Sequence, residues 1–414
     1  MSDAYYSLSV LAWRSLWRNR RRTLITLSSI ILGLTLVMIL VCIGEGVYAR
    51  LVDDAVRLQG GHVTLMHRGY MDAPSADLYI GRTNVLRNRI EKLSGVERTK
   101  GLVLGQALVK TATGAVGAMV MGVEPLVETG TSPLPGRIKE GRYLSGDGGA
   151  QAVIGAAMAE RLNLRVGSKF VLAANDTRGG MVEELCRVRG IFRMGSDEMD
   201  GYLIQVPVGF ARRLYGLPKD ALTYLGVVLD DSDTRHAVAK LISNMPESSG
   251  YSALPWEKVL PEVASYIRLD RTQNYIFQAI LMFLVLFTIF NTILMSVLER
   301  EREFGVLLAL GTAPMRLRVQ VFLESVYLNL AGVGGGLLLG GLLVWYYQVH
   351  GIDFSRFTRA EMSISGFSMQ MMLHPRLTAG ILGWIGGLVY AATLLLSLYP
   401  VWRSTRMDLA GVLR

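Results

Sequence analysis

Four stretches of this chain run for about 20 residues or more without a charged side chain: Thr23–Gly44, Thr272–Leu298, Ser325–Val349 and Leu377–Trp402. A helix rises about 1.5 Å per residue, so each is long enough to cross a hydrocarbon core of roughly 30 Å. Composition agrees: 51% of the 414 residues are hydrophobic and the mean hydropathy is +0.34. The net charge of +9 could suit nucleic acid. The arginines, however, cluster beside the apolar segments, which is how positive charge sets the orientation of membrane spans. The first segment follows Arg14, Arg18, Arg20, Arg21 and Arg22. Its apolar core is too long for a secretory leader and no small-residue cleavage site follows, which predicts a retained anchor.

The arginine-rich N-terminus, the connection Glu299–Arg318 and the tail with Arg403, Arg406 and Arg414 are all expected in the cytoplasm. Four spans with both termini inside satisfy this. The predicted layout is an interfacial helix at 1–22 and transmembrane helices at 23–45, 272–298, 319–349 and 377–402. An extracytoplasmic domain fills 46–271, a cytoplasmic connection 299–318, an outer loop 350–376 and a cytoplasmic tail 403–414. Before the first span, Tyr6, Val10, Trp13 and Trp17 share one helical face, with Arg14, Arg18 and Arg21 off it, the pattern of a helix lying in the headgroup region.

The region 46–271 is large enough to bury its own core, and its pattern is mixed α and β. Strand-like runs are His62–Met66, Ala118–Met121, Ala152–Ile154, Lys169–Ala173, Arg187–Phe192 and Leu203–Val206. Helix-like runs are Thr83–Leu93, Ala156–Leu162 and Thr234–Asn244. Glycine- and proline-rich stretches at Thr131–Gly136 and Ser145–Gly149 suggest junctions between two lobes. The fold class is therefore an α-helical membrane protein with four transmembrane helices plus a large mixed α/β extracytoplasmic domain.

Motifs for chemistry are missing from the sequence. It has no GxxxxGK[ST] phosphate loop, no HExxH and no GxSxG. Histidines 62, 67, 236, 350 and 374 are too scattered to suggest a metal site, and Cys42 and Cys186 read as small buried apolar residues. An enzyme active site, a metal site and a nucleic-acid partner are not expected. The third span carries Gly332, Gly336 and Gly340 at four-residue spacing, and the fourth has Gly380, Gly383, Gly386 and Gly387. This predicts close packing of spans three and four. Glu324 and Glu45 sit near span ends, within reach of water or an arginine. Val37, Leu40 and Val41 of the first span, with Ile280, Phe283 and Phe287 of the second, could line an apolar cavity for acyl chains or another hydrophobic cargo if two copies pair. The run Glu299–Thr312 is too polar to span and too apolar for a free linker. It reads as a short surface helix ending at a glycine cap, suited to holding a soluble partner.

In that run Glu303, Gly305, Ala309 and Gly311 stand where the MacB/FtsX-type permeases of ABC transporters carry E-R-x-x-E-[IF]-G-[VI] followed by A-[LM]-G-[AT]. The order of one span, a large outer domain and three further spans also resembles that family. The tail Pro400–Arg414 is similar to the family ending, departing at Ala410, where proline is typical. Ala152–Ser168 resembles a family segment, with Ser168 in place of an acid, and Gly190–Phe192 with Asp197–Tyr202 looks most like the lipoprotein-releasing (Lol-type) branch. One Lol-type subunit carries a chaperone-recruiting hook after the strand matching Lys169–Ala173. Here the connection Asn175–Glu184 is short.

The resemblance implies a subunit of the bacterial inner membrane with its large domain in the periplasm. A separate cytoplasmic ABC ATPase dimer, using ATP and magnesium, would dock on Glu299, Glu303, Phe304, Gly305, Leu308, Ala309, Leu310 and Gly311. A second permease subunit would complete a homo- or heterodimer, and the cargo would be a lipoprotein or similar acylated molecule. A periplasmic chaperone or adaptor is a further implied partner. Alternatives within the family are MacB-like export and FtsX-like signalling to a cell-wall hydrolase.

Overall fold

The computed structural model describes residues 2–18, 20–146, 149–353, 363–364, 367–368 and 372–403. The expected tail and most of the outer loop lie outside them. Contacts divide the chain into two units: residues 1–48, 269–356 and 371–414, and residues 49–268 with 357–370.

Among the described residues, four helices are long and apolar enough to cross a membrane. They belong to Arg20–Leu58, Pro261–Glu299, Pro314–His350 and Ala379–Arg403. The first two have 39 residues each, so the first runs on beyond Glu45 to Leu58 and the second begins before Thr272, at Pro261. The polar extension of the first keeps its helix through i,i+4 pairs, Arg57 to Asp53 at 2.7 Å and Arg50 to Asp54 at 3.6 Å.

Ile30, Leu34, Ile289, Ile293, Val333, Ile385 and Val389 form the centre of the bundle, drawn from all four spans. Spans three and four do pack closely, as expected, but the glycine stripe of the third span faces the first span instead of the fourth. A Cβ at Gly332 would lie 2.7 Å from Ile30, at Gly336 2.8 Å from Leu34 and at Gly340 2.9 Å from Met38. Spacing reveals that some backbone comes close but not whose. The fourth span meets the third differently: Gly386 accommodates Leu337, and the Asn329 amide donates to the Tyr390 carbonyl at 3.1 Å.

The second unit is built on ten strands: β1 (Val63–His67), β2 (Val96–Lys110), β3 (Ala115–Val123), β4 (Ile138–Gly141), β5 (Gln151–Gly155), β6 (Lys169–Asn175), β7 (Met181–Phe192), β8 (Leu203–Pro207), β9 (Tyr224–Leu229) and β10 (Tyr251–Pro255). Hydrogen bonding runs β2–β3–β8–β5–β7–β6 and returns to β2, closing a six-stranded ring. The β3–β8 and β5–β7 pairs are parallel and the others antiparallel. The same sheet continues past β2 on its other part, in the order β2–β9–β1–β10. Residues 96–102 of β2 pair with β9, and residues 108–110 pair with β6. These two groups of strands, or lobes, meet along β2 as parts of one hydrogen-bonded sheet. Neither Thr131–Gly136 nor the described part of Ser145–Gly149 separates them. Thr131 ends a helix that follows β3 and Leu134 is fully buried. A single apolar core runs through both lobes, from Val63 to Ala253. Cys186 lies in it, and burial pushes its thiol up to about 12.

Gly336→Val drives two methyl groups into Leu34 and is expected to cost about 1–3 kcal/mol, read as a lower melting temperature in detergent. Gly334→Ala, whose Cβ meets nothing within 4 Å, is expected to leave melting unchanged. Equal melting of the two variants would contradict the packing of the third span on the first.

Candidate functional site

The second span helix ends at Glu299, and Arg300 turns the chain into a nine-residue helix, Glu301–Ala309. That helix stops in a Schellman arrangement. The Thr312 amide donates to the Leu307 carbonyl and the Gly311 amide to the Leu308 carbonyl, both at 3.0 Å. Gly311 takes φ +91°, a value that favours glycine at this stop. Pro314 then opens the third span helix.

One face of the short helix is an anchor. Phe304 is 1% exposed and packs with Val297, Leu317, Val321 and Val401, flanked by Leu308 and Phe322. Gly305 is buried beside it. The Arg300 guanidinium lies over the Phe304 ring, 4.9 Å from its centroid. It also donates to Glu324 of the third span at 2.8 Å and to Glu303 at 3.2 Å. Gln320 donates to the other Glu324 oxygen at 3.4 Å. Arg18, in the N-terminal helix Ser2–Arg18, pairs with Glu303. The Arg18 hydrogen bond, with help from Arg300, holds the Glu303 carboxyl below its ordinary value. A carboxylate lowered in this way contributes its pairing above its unfolded value and loses it as pH falls through the lower folded one. The contact is therefore fully present at neutral pH.

The other face is open. Val306, Leu307, Leu310 and Met315 are exposed, Leu310 at 78%, and Ala309 lies among them. Of the residues singled out from sequence, Phe304, Gly305 and Leu308 turn inward, Glu303 carries the ion pairs, and Ala309, Leu310 and Gly311 face outward. Arg18 was not legible as a partner of Glu303, nor Arg300 as a partner of Glu324, because nothing local marks a contact between residues so distant in sequence, whereas Arg300–Glu303 and Gln320–Glu324 stand at helical i,i+3 and i,i+4 spacing that a closer reading could have caught. Glu324 is held by Arg300, and Glu45 by Arg271 at 2.9 Å. In the N-terminal helix, Trp13 and Trp17 are exposed and meet edge-to-face, while the Tyr6 side chain lies outside the described residues.

The six residues expected to line a cargo cavity are distributed differently within one subunit. Val37 is buried in the bundle, and Val41 packs against the four-span core. Leu40, Ile280, Phe283 and Phe287 are exposed. Phe283 and Phe287 join Leu286, Phe290, Ala392, Leu395 and Leu396 around an apolar groove of about 460 Å³ between spans two and four. At the far end of spans one and two, the Tyr48 hydroxyl donates to Asp270, and Asn274 donates to both. In the second unit, β6 and β7 are joined by a tight turn at Asp176–Gly180. The Asp176 carboxylate accepts from the Arg178 amide at 2.9 Å and the Gly180 amide at 2.8 Å. No arm extends there.

A four-span bundle with a buttressed surface helix and an outer α/β domain defines a transmembrane permease subunit. The sequence model of the MacB-like periplasmic core domain matches residues 23–245, and that of the FtsX-like permease C-terminal region matches residues 275–409. The chain belongs to this MacB/FtsX family of ABC transporter permeases. It is similar to the lipoprotein-releasing system transmembrane protein LolC of Neisseria meningitidis serogroup B, 22% identical over 78% of this chain and 77% of that one. It is also similar to the pyoverdine export ATP-binding/permease protein PvdT of Pseudomonas entomophila, 25% identical over 80% of this chain and 53% of that longer protein. The solved periplasmic region of MacB from Actinobacillus actinomycetemcomitans aligns with 52% of this chain and 98% of its own, at 11% identity and a TM-score of 0.37. The family places the chain in a membrane with an extracytoplasmic domain, as one subunit of a complex with an ATPase.

Phe304→Ala is expected to cost about 3–5 kcal/mol by leaving a cavity under the short helix, seen as a lower melting temperature. Leu310→Ala should leave melting unchanged, since its side chain is solvent-facing. Equal effects of the two would contradict the inward–outward division of the helix.

Proposed function

We propose that this permease works with a separate ATPase to extract lipoproteins or similar acylated molecules from the inner membrane for onward transfer. The observation that carries the reading is the helix Glu301–Ala309, whose anchored face and exposed apolar ridge suit a rigid handle for another protein. An apolar ridge with an ordered backbone loses little freedom on docking, so its burial goes into affinity. In this reading the arginine-flanked end of the bundle and both termini face the cytoplasm, where the ATPase dimer binds with its ATP and magnesium. The domain between spans one and two faces the periplasm. Two permease subunits pair, and the exposed apolar faces around Leu40, Ile280, Phe283 and Phe287 receive acyl chains.

The lipoprotein-releasing system to which the LolC relative belongs supports the cargo class. The tight Asp176–Gly180 turn, which leaves no arm for a chaperone, and the likeness to a pyoverdine exporter support a second reading, export with an adaptor. A signalling role of the FtsX kind is less well served by an outer domain of this size.

Leu310→Asp places a charge on the exposed ridge and is expected to reduce recovery of a co-purified ATP-binding protein by about tenfold or more, with melting unchanged. Undiminished recovery would remove the ridge as the docking site. Depletion of the chain in cells is expected to leave acylated proteins in the inner membrane. A normal distribution would reject the lipoprotein cargo.

A further inference from the structure

The helix Arg20–Leu58 ends inside the α/β domain, and its last four carbonyls have no partner within the helix. Two are met by the chain just beyond. The Gln59 amide donates to the Ala55 carbonyl at 3.1 Å, and the Gly61 amide donates to the Val56 carbonyl at 2.8 Å. The other two, of Arg57 and Leu58, are both met by a single ammonium, that of Lys100 on β2, the Leu58 contact at 3.2 Å. Lys100 is 1% exposed. A cation at a helix C-terminus also meets the negative end of the helix dipole.

Lys100 does not end the network. Its ammonium lies 3.6 Å from the Glu128 carboxylate, which is equally buried. The Gln205 amide donates to Glu128 at 3.4 Å, and the Tyr143 hydroxyl donates to Gln205 at 2.7 Å. Gln205 lies on β8 and is fully buried. The helix end is thereby bonded to the strand shared by both lobes and, through Glu128 and Gln205, to β8 of the ring. Burying such a pair costs solvation that an apolar pair would not, so fold stability alone does not account for it.

We propose that Lys100 is a positioning residue for energy coupling: it clamps the end of the first span helix to β2, so that movement of that helix is delivered to the outer domain. This rests on the reading of the chain as an ATP-driven permease. A helix end held only by apolar contacts could rotate or fray, whereas two charge-assisted bonds to consecutive carbonyls fix both its axial position and its rotation.

The experiment uses the full chain with its co-purified ATPase in lipid nanodiscs. Amide hydrogen exchange is measured without nucleotide and with a non-hydrolysable ATP analogue, and the ATPase rate is measured alongside. Three forms are compared: wild type, Glu128→Gln, and the double variant Lys100→Met with Glu128→Gln. The double variant removes the clamp without leaving a buried unpaired charge. Glu128→Gln removes the counter-charge, which lowers melting, but keeps the Lys100 amine on the helix end, where even uncharged it still donates to both carbonyls.

The expected result is that the double variant melts near wild type and hydrolyses ATP. Amides of residues 55–61 should exchange faster by up to about tenfold. The nucleotide-dependent change in residues 63–110 should be lost. Glu128→Gln should keep both wild-type behaviours. If the double variant keeps the nucleotide response, or Glu128→Gln loses it equally, the clamp is overturned. A double variant that does not fold also overturns the proposal, since Lys100 would then be structural. If wild type shows no nucleotide response, the permease reading fails and the coupling role falls with it. The exchange rates of residues 55–61 would still report whether Lys100 caps the helix.

Discussion

The guanidinium of Arg300 joins three pieces of chain at the arginine-flanked end of the bundle. It bonds Glu324 on the third span, bonds Glu303 on the short helix, and covers the ring of Phe304. Each contact alone is modest, and the one to Glu303 is partly exposed and screened. Together they fix the angle of a nine-residue helix too short to be stable by itself. The exposed apolar ridge, the docking of the N-terminal helix through Arg18 and the turn into the third span all depend on that angle. Without it the run Glu299–Thr312 would be a loose amphipathic linker with no fixed ridge.

The bundle behind this helix is rigid for a different reason. Lipid offers no hydrophobic drive between helices, so close approach must come from shape. Gly332, Gly336 and Gly340 let the third span lie against Ile30, Leu34 and Met38, and the Thr35 hydroxyl donates to the Gly336 carbonyl at 3.3 Å across the same seam. Span one is thus held to span three, while much of the face of span two carrying Phe277, Ile280, Phe283, Leu284 and Phe287 stays open. That division suits a subunit whose exposed span faces a partner or cargo.

Much of the architecture was legible in the sequence, because a bilayer tolerates only long uncharged runs and arginines mark their ends. Six strand runs and three helix runs of the outer domain coincide with observed elements. The longest strand, β2, did not announce itself. Its run Val96–Lys110 holds Arg98, Lys100, Gly101, Gly105 and Gln106, which break the alternation of a half-buried strand. The structure explains these exceptions. Lys100 caps a helix, and Gly105 makes room for the Tyr215 ring, which a Cβ there would overlap. The short helix was legible as an element, but its anchors were not, since Arg18 and Glu324 lie far from Glu303 in sequence. Likewise, the glycine spacing announced a close approach without naming the first span as its partner.

The central claim, that the exposed apolar faces of spans one and two receive an acylated cargo, is tested most directly by photo-crosslinking in living cells. A photoreactive residue is placed at Leu40 and at Phe283, and captured molecules are identified by mass spectrometry. The account predicts adducts with acylated proteins that disappear when the ATPase is absent. Adducts confined to phospholipid and to the permease's own helices, with the ATPase complex intact, would contradict it.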